Sequence, residues 1–367
     1  MSKVHEERSQ RIKDALADAG LDGVLVYGNA WRVDYLRFAV DYSVLEGDAV
    51  AIVFADGDTH IIVEGPVEGA RVRAARPDAT VTATDDLIGA VRSQMKAFGN
   101  RQIAMAPADL MPYGIGAGDD APKMDDGTEL LDALMRVKSP AEVETIRRAT
   151  DMADKGYEVF VDAAKPGRAE FEVVAEIEGF FRAEGCQENF MLIGSGGVEV
   201  MGMHPAGTRR IEVGDLVTTE LSPCVDGYYS QICRTLVIGE PTELQLKSFT
   251  VFQDAVDAGF AILKAGVTAG EVAIAENDVF RARGLGKYTT SEYTRVRGHS
   301  LGLFVDGKPP LLEDVETVLE AGAFLIIHPN TYHPDAGYMV LGDAAVVTED
   351  GYISFSKTPR ELIVAAI

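Results

Sequence analysis

The stretch DLVTTELSPCVDGYYSQICRTLVIG, residues 215–239, decides the fold of the second half of the chain. An Asp-Gly pair at 226–227 separates two apolar runs, and this pattern predicts a β-hairpin. A tight turn at the pair places Glu220 opposite Cys233. Gln231 then shares the face of Glu220, because side chains alternate along a strand. The two polar side chains indicate either the solvent face of a hairpin or a site that faces inward.

Histidines accompany this hairpin in the second half of the chain. His204 lies in GMHPAG, His299 in RGHSLG, and His328 ends the apolar run AFLIIHP. A single histidine at a strand end is often only a satisfied core group. Three of them, at strand ends or in glycine-bounded loops of one domain, indicate a functional site. His333, in YHPD, is predicted to lie in a surface loop.

The hydrophobic pattern divides the chain into two domains joined by a short segment. Residues 1–127 alternate short apolar runs with helical periodicity, which predicts an α/β domain. Residues 128–139 form a linker helix and junction, and residues 140–367 are predicted to be α+β, with long helices covering a curved antiparallel sheet. Ser139 and Glu142 have the spacing of a capping box at the start of a long helix.

Composition excludes several classes of function. The formal net charge is −24 over 367 residues, which argues against a nucleic-acid partner because phosphates would be repelled. No stretch approaches the roughly 20 apolar residues of a membrane helix. The charged start of the chain lacks the apolar core of a signal peptide, and three scattered cysteines do not suggest disulfides. We therefore expect a cytoplasmic protein without a membrane partner.

Four segments in order resemble the creatinase, prolidase and Xaa-Pro aminopeptidase family over nearly the whole chain. They are RSQRIKDALADAGLDGVLVYGNAWRVDYLRF (8–38), RVKSPAEVETIRRATDMAD (136–154), MHPAGTRRIEVGDLV (203–217) and GHSLGL (298–303). The resemblance implies the pita-bread fold for the C-terminal catalytic domain and a smaller creatinase-like α/β domain before it.

The family's peptidases hold two metal ions with two Asp, one His and two Glu. The resemblance places Glu220, Gln231, His299, His328 and Gly342 at those positions. A single carboxylate would then face two cations. Each carboxylate–cation attraction is worth roughly 4 kcal/mol at an effective dielectric of about 20, so the missing carboxylates remove most of what would hold the two ions. We therefore expect no metal cofactor. The alternative is one divalent transition metal held by His299, His328, Glu220 and Gln231.

Creatinase, the branch of the family that cleaves a C–N bond without metal, is similar in site character. The resemblance implies that His204 is a general acid/base and that Glu220 holds a cationic part of a small-molecule substrate. Gln231, His299 and His328 would shape the substrate pocket. The first expectation is therefore a metal-independent, creatinase-like hydrolase of an amide-type or amidine-type C–N bond.

Three other functions remain open at this point. They are a metal-dependent Xaa-Pro dipeptidase or aminopeptidase with altered ligands, a family lyase acting on a small molecule, and a non-catalytic binding protein. Because family members commonly dimerise, the resemblance also implies a homodimer. Arg37 and Tyr42 are candidates for residues that contact substrate from a neighbouring subunit.

Overall fold

A computed structural model describes residues 2–117 and 121–367 of the chain. The chain divides into two compact units, Met1–Met135 and Arg136–Ile367. Each unit has its own sheet and its own buried core, so each is described by itself.

The first unit contains a five-stranded mixed sheet in the order β4-β3-β2-β1-β5. β1 is buried along nearly its whole length because apolar side chains occupy both of its faces, and it pairs antiparallel with β2 and parallel with β5. The helices pack around this sheet. The elements are α1 Lys3–Asp18, β1 Gly23–Asn29, α2 Asp34–Val40, β2 Asp48–Phe54, β3 Thr59–Glu64, α3 Pro66–Ala75, β4 Thr80–Thr84, α4 Leu87–Phe98, β5 Ile103–Ala106, α5 Tyr113–Gly116 and α6 Thr128–Arg136.

The second unit contains a ten-stranded sheet whose main path is β11-β10-β12-β15-β9-β7-β6. All pairings along this path are antiparallel, and four long helices accompany the sheet, so the predicted α+β class is confirmed. The elements are α7 Pro140–Ala163, α8 Glu170–Ala183, β6 Glu188–Gly196, β7 Leu216–Val225, β8 Tyr228–Tyr229, β9 Ile232–Ile238, α9 Glu243–Ile262, α10 Ala269–Ala282, β10 Gly298–Ser300, β11 Gly307–Pro310, β12 Phe324–Ile327, β13 Thr331–His333, β14 Gly337–Met339, β15 Gly342–Val347, β16 Tyr352–Ser354 and β17 Ile363–Ala365.

Strand β7 of the large sheet is buried on both faces along nearly its whole length. The neighbouring residues Leu216 and Val217 of β7 belong to different core clusters. The cluster around Leu216 includes side chains of α9 and α10, whereas the cluster around Val217 includes side chains of α7 and α8. Since successive side chains point to opposite faces, each face of β7 packs against its own layer of helices.

The long helix α7 begins as its sequence predicts. Ser139 Oγ accepts a hydrogen bond from the backbone N–H of Glu142 at 3.3 Å, and Glu142 Oε2 accepts one from the N–H of Ser139 at 2.7 Å. This capping box is therefore confirmed. Within the described residues, 2–117 and 121–367, no helix combines the length and the apolar content needed to cross a membrane.

Candidate functional site

The β7–β9 hairpin brings a carboxylate and an amide together, as the sequence predicts. Glu220 is the direct partner of Cys233, and Gln231 Nε2 donates a hydrogen bond of 2.9 Å to Glu220 Oε2. Glu220 is 9% exposed and Gln231 is 2% exposed. The two side chains thus face inward, and the solvent-face interpretation of this hairpin is wrong.

Cys233 and Asn330 complete the polar floor beside this pair. Cys233 Sγ lies 3.9 Å from Glu220 Oε2, and Asn330 Nδ2 lies 3.8 Å from the same sulfur. Asn330 Oδ1 accepts a hydrogen bond from the N–H of Leu341, so its side chain is fixed at both ends. Asn330 was not among the residues predicted from the sequence. Its position two residues after His328 was the one signal that pointed to it.

His299 on β10 and His328, the residue that follows β12, lie side by side. Their ring centroids are 5.2 Å apart in an edge-to-face arrangement. His299 pairs with Ile326 in the β10–β12 ladder, and the N–H of His328 donates to the carbonyl of Arg297 at 2.9 Å. Burial lowers the pKa of both imidazoles, and that of His328 falls well below its usual range. Burial therefore favours the neutral form of both rings.

Gly342 joins the histidine pair to the hairpin. It is the partner of Cys233 in the β9–β15 ladder. A Cβ at position 342 would lie 2.5 Å from His328 Cβ and 2.5 Å from the carbonyl oxygen of Ile327. The backbones therefore approach so closely that only glycine fits here. Glu220, His299 and Gly342 thus lie on strands of one sheet, and Gln231 and His328 are the residues directly before β9 and directly after β12.

The pKa of the Glu220 carboxyl group is raised above its usual range. Burial raises its pKa to about 7, the hydrogen bonds from Gln231 and Cys233 oppose this shift, and the negative charge of Asp306 adds to it. Asp306 Oδ1 also lies 3.7 Å from His299 Nδ1. Sequence reasoning missed Asp306, although it is only seven residues after His299 in the same glycine-rich segment.

Two buried polar atoms of this site have no hydrogen-bond partner among residues 2–117 and 121–367. They are Gln231 Oε1 and His328 Nδ1. Buried polar atoms are nearly always hydrogen-bonded in proteins, so unpaired ones in a pocket indicate a place for a bound polar group.

His204 lies apart from this pocket's hydrogen bonds. Its backbone bridges Ile193 on β6, its Nδ1 lies 2.9 Å from the carbonyl oxygen of Pro205, and the same nitrogen is 3.8 Å from a carboxylate oxygen of the buried Glu170. The His204 side chain is 52% exposed. No hydrogen bond or ion pair joins His204 to Glu220 within the described part of the chain.

The other predicted residues have partners within their own units. In the first unit, Arg37 Nε donates to Ser43 Oγ at 2.7 Å, and the buried Tyr42 donates its hydroxyl hydrogen to Glu68 at 2.6 Å. His333 is 6% exposed on β13, where its Nδ1 lies 3.0 Å from Ser248 Oγ. The prediction of a surface loop at His333 is therefore wrong, because the β13–β14 hairpin packs this ring against α9.

Comparison with protein families matches residues 144–349 to metallopeptidase family M24. The chain belongs to metallopeptidase family M24. Among solved structures, the Xaa-Pro dipeptidase from Bacillus anthracis is similar over 98% of this chain and 99% of its own, with a TM-score of 0.84 and 26% identity. The predicted family and the pita-bread fold, with its N-terminal domain, are therefore confirmed.

Two curated relatives extend this similarity in sequence. An uncharacterised peptidase of Bacillus subtilis is 27% identical over 97% of this chain and 99% of its own length. The Xaa-Pro dipeptidase of Pyrococcus furiosus is 30% identical over 66% of this chain and 68% of its own. These M24 relatives are peptidases, so membership in a family of C–N bond hydrolases is supported.

These findings correct two expectations drawn from the sequence. The expectation of a metal-independent, creatinase-like hydrolase is wrong, because the similar proteins are dipeptidases and Xaa-Pro dipeptidases of a metallopeptidase family. The expectation of no cofactor is wrong for the same reason, since M24 membership points to a divalent metal ion. Both errors came from giving the substituted ligand positions more weight than the similarity of the whole chain.

The donor set of the pocket differs from the one that such a metal centre needs. In residues 2–117 and 121–367, no group of three or more His, Cys, Asp or Glu side chains is arranged to hold an ion. Glu220 bonds to an amide at Gln231, and Gly342 supplies no side chain. The residues present therefore do not fit the two-ion centre implied by the family resemblance.

Proposed function

We propose that the protein is a hydrolase of short peptides, and that Xaa-Pro dipeptides are its substrates. One observation carries the proposal. The buried side chains of Glu220, Gln231, His299 and His328 lie in a fold that matches an Xaa-Pro dipeptidase along nearly its whole length. A few buried polar groups among apolar surroundings are typical of a small-molecule site.

Within this proposal, Glu220 and His204 are the catalytic candidates. Glu220 is buried, and its pKa of about 7 lets it exchange a proton near neutral pH. Gln231, His299 and His328 would bind the substrate. Gln231 bonds Glu220, Gln231 and His328 each have an unpaired polar atom, and the His299 ring packs against that of His328. His204, whose imidazole is half-exposed, would act as the acid/base on a bound substrate that reaches its ring.

The test is release of proline from Ala-Pro by the purified full-length chain. We would assay the protein as isolated and after adding Mn²⁺, Co²⁺ or Zn²⁺, with Pro-Ala as the sequence-reversed control. We expect proline release from Ala-Pro and none from Pro-Ala. Glu220→Gln should lower the rate by about 10²–10⁴-fold, the usual contribution of an acid/base group, whereas Glu349→Gln, on an exposed turn, should not. No proline release under any of these conditions would refute the proposal.

A second candidate, a non-catalytic binding protein, is favoured by one observation. The described residues do not supply a three-donor metal group, although the family's peptidases depend on metal. This candidate predicts that Ala-Pro binds, as measured by calorimetry, without any proline release. The two measurements on the same sample therefore separate the two functions.

We also propose that the protein forms a homodimer in the cytoplasm, with Arg37 and Tyr42 near the substrate of the neighbouring subunit. Tyr42 is held by Glu68, so we expect it to contribute shape rather than a mobile side chain. Light scattering at micromolar concentration should give twice the chain mass of 39.4 kDa, and a monomer mass would contradict the dimer.

A further inference from the structure

The first unit has a cleft of its own, lined only by residues of that unit. Its volume is about 1280 Å³, and it lies between α4, residues 99–103 and residues 121–125. Among the described residues that line it, one is acidic, Asp125, and four are basic: Arg92, Lys96, Arg101 and Lys123. The whole chain has 58 acidic and 34 basic residues, so the lining of this cleft reverses the charge balance of the protein.

The helix α4 contributes two of the cations from successive turns. Leu87, Val91 and Met95 are its buried residues. Arg92 and Lys96 each follow a buried residue by one position, so they share one side of the helix and are about 6 Å apart along its axis. Like charges at this spacing repel each other. No acidic residue of α4 compensates this repulsion, since its sequence, LIGAVRSQMKAF, contains none.

Three of the four cations have no carboxylate partner in the described part of the chain. They are Arg92, Lys96 and Lys123. Arg92 Nε donates to the carbonyl oxygen of Gly114 at 2.8 Å, which positions the guanidinium but leaves its charge unneutralised. Both lysines are exposed. Cations that line one cleft without ion pairs raise the local concentration of anions there.

Arg101 is the fourth cation, and aromatic rings position it. Its guanidinium carbon lies 4.5 Å from the centroid of the Phe54 ring and 5.8 Å from that of Phe98. Asp56 Oδ2 is 4.0 Å from its Nη1, and both side chains are substantially exposed. A guanidinium held in this way keeps planar N–H donors that match the oxygens of a phosphate group.

Two negative contributions oppose an anion in the cleft, and the cations outweigh both. Asp125 and Asp56 remove two of the four positive charges. The carboxyl end of α4 carries the equivalent of about half an elementary charge. Acidic residues elsewhere on the chain act only within the Debye length, about 8 Å at physiological ionic strength. The cleft therefore keeps a net positive charge although the protein is acidic.

We propose that this cleft binds a small ligand with two or more phosphate groups. A single phosphate would reach only part of the set, because the cations come from three segments of the chain. Arg92 and Lys96 would bind adjacent phosphate groups, since they are one helical turn apart. Arg101 would bond phosphate oxygens through its planar donors, and Lys123 would add a further charge. The proposal does not depend on peptide hydrolysis, because the candidate catalytic residues belong to the second unit.

Calorimetric titration of the full-length chain with pyrophosphate, ADP, orthophosphate and sulfate tests this site. An exposed charge pair contributes up to about five-fold in affinity, so two further pairs should make pyrophosphate or ADP about 20-fold tighter than orthophosphate or sulfate. The tighter of the two diphosphates distinguishes a free diphosphate from a nucleotide. Their affinity should also fall between 0.05 and 0.5 M NaCl, because salt screens exposed charges.

Variants locate the binding in the cleft. Lys96→Gln and Lys123→Gln should each weaken pyrophosphate by about five-fold, because each removes one exposed charge. Lys247→Gln, at an exposed lysine on α9, removes the same charge elsewhere and should change nothing. Circular dichroism of each variant checks folding. Asp119 and Asp120, which lie outside the described residues, stay unchanged in every variant.

Three results would overturn the proposal. The first is pyrophosphate and ADP that bind no more tightly than sulfate. The second is a double variant, Lys96→Gln with Lys123→Gln, that binds pyrophosphate as the wild type does. The third is a loss in Lys247→Gln as large as that in Lys96→Gln, which would assign the binding to the overall charge of the chain. Proline release from Ala-Pro bears on none of the three, so the cleft and the proposed peptidase can fail separately.

Discussion

Replacing Gly342 by alanine tests how tightly the pocket's backbone is packed. The added Cβ would lie 2.5 Å from His328 Cβ and 2.5 Å from the carbonyl oxygen of Ile327. Neither atom can rotate away, since one is a backbone atom and the other is attached directly to the backbone. The end of β12 would have to move relative to β15 before the methyl group fits.

The expected cost combines two opposing terms. Overpacking of a tight core typically costs about 1–3 kcal/mol. Replacing glycine by alanine also restricts the unfolded chain, which stabilises a protein by about 0.4–1 kcal/mol where the native backbone allows it. We therefore expect Gly342→Ala to lower the free energy of unfolding by about 1–2 kcal/mol.

Urea denaturation, monitored by circular dichroism, measures this difference. We expect a lower midpoint and an unchanged dependence of the unfolding free energy on urea concentration. Gly351→Ala is the control, because a Cβ there meets nothing within 4 Å and the glycine does not adopt a positive φ. We expect this control to be neutral or slightly stabilised. If Gly342→Ala matched Gly351→Ala, the close contact at the pocket would not constrain the backbone, and the reasoning would be refuted.

Three further predictions concern stability. Burial lowers the pKa of His5 to about 4, so between pH 6.5 and 4 the unfolded chain binds a proton that the folded chain does not. The free energy of unfolding should therefore fall by about 2 kcal/mol as the pH drops through this window. Thermal unfolding of His5→Gln at the same pH values should lack this loss. Arg234→Lys should lower the free energy of unfolding by about 3 kcal/mol, because lysine cannot replace a buried guanidinium that bonds Asp343 at 2.8 Å and several carbonyls. Urea denaturation measures this change, and an unchanged midpoint would contradict it. Ser139→Ala should cost about 1 kcal/mol through the lost cap, and equal stability would mean that Glu142 alone suffices to start the helix.

The local parts of the fold were predictable from the sequence because short-range rules determine them. The Asp-Gly turn set the hairpin register, which in turn placed Gln231 beside Glu220. The capping box at Ser139 set the start of α7. In each case, the interacting residues are near in sequence, so spacing alone identified the contact.

The parts that were not predictable depend on contacts between distant segments. Asp306 and Asn330 reach the pocket only because β10, β12 and β15 pair as they do. His333 is buried by a hairpin that packs against α9, which no local pattern indicates. The function was mispredicted because the substituted ligand positions were given more weight than the similarity of the whole chain, which lies with dipeptidases.

The close approach of Gly342 to His328 also constrains how this site can evolve. Any side chain at position 342 clashes while the backbone at 327–328 keeps its place. An acidic residue gained there alone would therefore be selected against for stability before it could contribute to chemistry. A lineage that gained a carboxylate at 342 would bear this cost unless compensating changes came first, so the order of mutations matters.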